Sequence, residues 1–150
     1  TRALLEAYAA TIGLAQITDA TLDELRRHVT AMRRCTLPRD LPSLVQSDLA
    51  FHRLIAGLAE SEMLLEVWSS LSSRIGALIM RSVETNQFQS QDIVRIHADV
   101  VDALATRDPY RARQAVILHY LPEDATKPHY AQALDLAAQA TVQPLVQPLA

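Results

Sequence analysis

Apolar residues recur along this chain at three- and four-residue intervals, the spacing that lines one face of an α-helix. Successive blocks are separated by cap and turn residues. The first runs from about residue 2 to 14, with Leu5, Tyr8 and Ile12 on one side and Gly13 near its end. Thr18 or Asp19 caps a second block in which Leu22, Leu25, Val29 and Met32 repeat. Beyond Pro38 and Pro42, a third carries Leu41, Leu44, Val45, Asp48, Phe51, His52, Ile55 and Leu58 as one stripe. Ser61 opens a long fourth block with Leu64, Val67, Trp68, Leu71, Ile75 and Leu78 inward, fading near 85–89. Ser90 caps a fifth with Ile93, Ile96, His97, Val100, Val101 and Leu104. Asp108-Pro109, a cap followed by proline at the first helical position, starts a sixth with Ala112, Ala115, Val116 and His119. After Pro122 and Pro128, residues 130–140 read as a last Ala-rich helix before a flexible Val-Gln-Pro-Leu tail. The expectation is an all-α antiparallel bundle of six to seven helices, with residues 1–122 as the domain and 123–150 as an extension.

Composition agrees with that pattern. Three glycines in 150 residues and few aromatics favour helices over sheets, and 49% hydrophobic content is enough for a real core. Net charge is −3 and Lys and Arg form no stripe, so this chain alone is expected to bind DNA poorly. Cys35 stands alone, which fits a reducing cytoplasm. No apolar run is long enough to cross a bilayer, so no membrane partner is expected. The chain starts at Thr1 and not at Met, which reads as a fragment or a processed chain. A glycine-rich phosphate loop and a nucleophile elbow are both missing from it.

Four polar residues interrupt the apolar stripes. Asp48 and His52 are four apart, hence one turn apart on one helix face, and that face is the apolar one. An ionised carboxylate is costly to bury there unless it is paired or holds a metal. His97 and His119 sit symmetrically about residue 108, so an αα-hairpin folded at that turn brings the two imidazoles to one level of the bundle. Three imidazoles and a carboxylate suit Zn first, then Ni, Co, Mn or Fe, over Ca or Mg. An open position on such an ion takes water or the carboxylate of a small acid, whereas four protein ligands on Zn can also make a closed structural site. The same residues read blandly as hydrogen-bonded core histidines and an i,i+4 ion pair. His28 and His129 lack comparable partners. Arg74 borders the inward stripe and is a candidate for an effector anion, with Arg2, Ser70, Ser73 and Tyr8 as weaker candidates.

The segment Asp48-Leu49-Ala50-Phe51-His52, the run from His97 to Asp108 and the run from Ala112 to His119 together resemble the C-terminal ligand-binding (FCD) domain of FadR-type regulators in the GntR family. The opening Arg2-Ala3-Leu4-Leu5-Glu6 is similar to the start of that domain. The resemblance spans roughly residues 2–120 and implies a helical bundle holding a divalent metal at Asp48, His52, His97 and His119. It also implies a small carboxylate or sugar-acid effector in the same cavity, a homodimer, and DNA binding through an N-terminal winged helix-turn-helix outside this chain. Two stretches depart from the family pattern. Many relatives have Asn where this chain reads Ala59-Glu60-Ser61-Glu62-Met63, and the part beyond Pro122 differs from the usual ending.

Sensing is therefore the expected role, not enzymatic turnover. A metal-dependent hydrolase is the alternative, since an open metal position can activate water, but Glu60, Glu62, Asp99 and Asp102 do not share the ligand stripe as a general base must. A bundle in which metal only stabilises folding is the third reading.

Overall fold

Helices begin in this chain where the backbone can leave its turns, and at three of the starts a side chain takes up orphan N–H groups of the first turn. In a computed structural model, which describes residues 1–84 and 90–120, the helices are α1 (Arg2–Ile12), α2 (Asp19–Arg33), α3 (Leu41–Gly57), α4 (Glu62–Glu84), α5 (Ser90–Ala105) and α6 (Pro109–His119). The side chains at 73–75, 77–84, 90 and 91 are outside that description. A 3₁₀ turn over Leu14–Gln16 follows α1, and there is no strand among the described residues.

Thr18 caps α2 by accepting from Thr21 N at 3.1 Å, and Ser61 accepts from Leu64 N at 3.3 Å at the start of α4. Asp108 Oδ1 accepts from Tyr110 N at 2.9 Å and Arg111 N at 3.2 Å, with Pro109 in the first helical position.

Thr1–His119 make one compact unit that contains all six helices. The second unit, Tyr120–Ala150, includes the helix expected over 130–140, which lies outside the described residues. Within the first unit, α1 packs on α6, α3 and α4, while α2 packs on α3 and α5. Short connections set α3 against α4 and α5 against α6. The core runs through Leu25, Met32, Leu44, Phe51, Ile55, Val100, Leu104 and Val116, all fully buried.

Stripes on α2, α3 and α5 face inward as their spacing predicts, with Ile96 and Leu58 at the margins. Two expectations are corrected. On α1 the buried face is Arg2, Glu6, Ala7, Ala9 and Ala10, while Tyr8 and Ile12 are exposed and Leu5 is half-buried. Small side chains win there because α1 must fit against three neighbours. At Gly13 an added Cβ would stand 1.8 Å from the carbonyl oxygen of Leu58. On α4, Leu64 and Trp68 are buried but Val67 is exposed, and Ile75 and Leu78 are among the undescribed side chains.

The α5–α6 turn is fixed from outside the hairpin. Arg107, in the left-handed region at φ 56°, donates to Ile17 O at 2.6 Å and to Asp19 Oδ1 at 3.0 Å. This clasp ties the turn to the approach to α2.

Candidate metal centre

Asp48 and His52 project from one face of α3, His97 comes from α5 and His119 from α6. The hairpin places the rings of His97 and His119 with centroids 4.4 Å apart; His52 is 4.8 Å from His119 and 5.3 Å from His97. One nitrogen from each of the three rings lies within 4.8 Å of the others, a group that could hold a metal ion. Asp48 Oδ1 is 3.0 Å from His97 Nε2 and 3.8 Å from His52 Nε2, and His52 Nε2 is 3.1 Å from His119 Nε2. Phe51, fully buried, packs edge-on against His52 and His97.

The outward-facing nitrogens determine what the inward ones can do. His97 Nδ1 is 2.7 Å from Ile93 O, and a carbonyl only accepts, so Nδ1 carries the proton. His52 Nδ1 is 2.7 Å from Glu6 Oε2, and an ionised carboxylate likewise only accepts. In their neutral forms both rings therefore turn Nε2 lone pairs toward Asp48. At 3.0 Å, His97 Nε2 and Asp48 Oδ1 are then two acceptors in contact, which is favourable only with an extra proton or a cation between them. Asp48 Oδ2 adds to this: it is buried and has no hydrogen-bond partner among the described residues. An orphaned buried carboxylate oxygen beside convergent imidazole nitrogens fits a divalent ion of the Zn, Ni or Co kind.

Electrostatics point the same way. Burial opposes ionisation of Asp48, but the surrounding His52, His97 and His119 outweigh it and hold the carboxyl down at about 2. Burial, then His52 and His97, push His119 well below the ordinary histidine range, so it is neutral at physiological pH. A charged carboxylate and a neutral imidazole are the forms that ligate metals.

Glu6 is the residue that sequence reasoning missed. It is fully buried, receives Trp68 Nε1–H at 2.6 Å and Arg2 Nε–H at 3.3 Å on Oε1, and receives His52 on Oε2. Burial works against its charge, but His52, Arg2 and Trp68 together keep its carboxyl below the usual range. The available signal was the Arg2–Glu6 pair, four apart on the same side as Ala9, Ala10 and Gly13.

The weaker candidates are scattered. Arg2 is buried against Glu6 with its guanidinium 4.9 Å above the Trp68 ring, one residue removed from the histidines. Tyr8 is exposed, and Ser70 is exposed with its hydroxyl donating to Val67 O at 2.7 Å. The side chains of Arg74 and Ser73 lie outside the described residues. A groove of about 710 Å³ at the α1–α2 connection, α2 and α3 is lined by Glu24, His28, Arg53 and Glu60 among others, and by none of the four converging residues.

Residues 1–121 match the FCD domain family. Over 122 residues the chain is 28% identical to a probable D-xylose utilization operon transcriptional repressor of Paenarthrobacter nicotinovorans. That alignment takes in 79% of this chain and 52% of the relative, so the chain spans about half the length of the curated relative it matches. Because the family match encloses all six helices and every one of the converging side chains, the chain belongs to the FCD domain family.

Proposed function

We propose that this chain is the effector-sensing domain of a transcription regulator. Asp48, His52, His97 and His119 hold one divalent metal, zinc first among the candidates. The bound ion supplies a Lewis-acidic position for a carboxylate oxygen of a small acid or sugar acid. The observation that carries this reading is the buried Asp48 Oδ2, without a hydrogen-bond partner among the described residues, beside a His97 ring whose Nδ1–H is committed to Ile93 O and whose Nε2 faces Asp48. Repression of a D-xylose utilization operon, the role named for the relative, supports the regulatory half.

The chain's own residues do the positioning. Ile93 O and Glu6 hold His97 and His52 with their Nε2 atoms toward Asp48. The charge of Asp48 offsets part of the ion's. Because the ligands come from α3, α5 and α6, occupancy ties three helices together. An effector that binds the two helix arrangements unequally can therefore shift them, and a DNA-binding head outside this chain, in a homodimer, would read the shift. Hydrolysis is less favoured because Glu60, Glu62, Asp99 and Asp102 are all exposed and none belongs to the cluster.

A thermal-shift screen of Zn, Ni, Co and Mn crossed with small carboxylates and sugar acids tests the proposal. Stabilisation by metal, with further stabilisation by an acid only when metal is present, is the expected pattern. Absence of any metal-dependent shift contradicts it, and metal-dependent turnover of esters or amides would move the assignment to an enzyme.

A further inference from the structure

We infer that Glu6 is a positioning residue for the metal site: it fixes His52 as the Nδ1–H tautomer and couples that ring to Trp68. The inference rests on the proposed function, because the site it serves is the metal site.

Three helices meet at this carboxylate, Glu6 itself from α1, His52 from α3 and Trp68 from α4. Its two oxygens are divided. Oε1 takes the indole N–H of Trp68 at 2.6 Å and the Arg2 guanidinium at 3.3 Å, and Oε2 takes His52 Nδ1–H at 2.7 Å. Glu6 has no measurable exposure and Trp68 is 2% exposed, so water does not substitute for either partner. Nothing in these contacts touches the space among the histidines. Glu6 acts through His52 by deciding which ring nitrogen keeps the proton, and hence which one offers a lone pair to a metal.

Replacement by glutamine separates this role from packing. Glu6→Gln conserves volume, but its amide has one acceptor and one donor end. The acceptor end belongs with Trp68 and Arg2, which only donate. The amide NH₂ then faces His52 Nδ1, which must accept, and the ring proton moves to Nε2, the atom facing Asp48 and His119. The metal lone pair is lost while the bundle stays filled. Glu6→Asp keeps an acceptor-only group and the original tautomer, at the cost of reach.

The test is zinc titration of the 150-residue chain and of both variants, followed by the emission of Trp68, the sequence's single tryptophan. Long-range ¹H–¹⁵N spectra of the histidines in the metal-free proteins accompany it. The expected results are a 10- to 100-fold weaker zinc affinity in Glu6→Gln, in line with loss of an outer partner of a metal-bound histidine, and a smaller loss in Glu6→Asp. His52 is expected as Nδ1–H in wild type and Glu6→Asp and as Nε2–H in Glu6→Gln. Zinc affinity in Glu6→Gln within twofold of wild type, or a wild-type His52 protonated on Nε2, overturns the inference. If Glu6→Gln does not fold, the wild-type tautomer and the Glu6→Asp affinity still decide. If wild type binds no zinc, the metal site itself fails, while the tautomer spectra judge Glu6 independently.

Discussion

Asp48 and His119 both favour their deprotonated forms in one cluster, and both make stability rise with pH. The Asp48 carboxyl is held at about 2 against an ordinary 3.8, so its contribution is complete above about 4 and is lost as pH falls toward 2. His119 stays neutral in the folded chain well below the 6.5 at which an unfolded histidine titrates. As pH falls through 6.5 the unfolded state takes up a proton that the folded state refuses, and stability declines. Denaturant midpoints of metal-free protein should therefore drop between pH 7.5 and 5, and His119→Ala should flatten that slope. His97→Ala should weaken zinc binding by more than the roughly 10- to 100-fold expected for loss of an outer partner; equilibrium dialysis against a zinc chelator measures it. Asp48, His52, His97 and His119 were legible in the sequence because each stands out as polar on an apolar stripe. Glu6 was not, because it lies off the stripe of Leu5, Tyr8 and Ile12 that the spacing of its helix suggests. The face it shares is built of alanines, and the bulkier Leu5, Tyr8 and Ile12 draw the eye to the opposite side.

Among the helices, glycine placement separates close contact from open space. At Gly13 a Cβ would meet the Leu58 backbone at 1.8 Å, whereas at Gly57 nothing lies within 4 Å. Gly13→Ala must push α1 away from α3 and should cost about 3 kcal/mol or more. Gly57→Ala, in the last turn of α3, should be neutral or stabilise by up to about 1 kcal/mol. Urea melts of the two variants check the contrast. Asp108→Ala removes the acceptor of two backbone N–H groups at the start of α6 and should cost about 1 kcal/mol. Element boundaries were readable because the caps at Thr18, Ser61 and Asp108 act through local hydrogen bonds. The hairpin symmetry about residue 108 was readable for the same reason, since a short turn fixes which residues of α5 and α6 stand side by side. The inward face of α1 depends on its packing against α6, α3 and α4, which local spacing does not encode.

For the domain as a whole, metal occupancy should appear as stability. The proposed ligands lie on α3 and on the α5–α6 hairpin, so an ion that binds only the folded chain would stabilise it by about 2.7 kcal/mol at a hundredfold excess over Kd. That is a rise in Tm on the order of 10 °C for a domain of this size. Chelation should reverse it while far-UV circular dichroism remains helical, because the core of Leu25, Met32, Leu44, Phe51 and Leu104 does not need the ion. The most direct test of the central claim is zinc stoichiometry by titration calorimetry at pH 7.5. One ion per chain is expected for the wild type and none at micromolar affinity for the His97→Ala and His119→Ala variants. A wild type that takes up no zinc, nickel or cobalt, or variants that bind as wild type does, would contradict the assignment of Asp48, His52, His97 and His119 as the metal site.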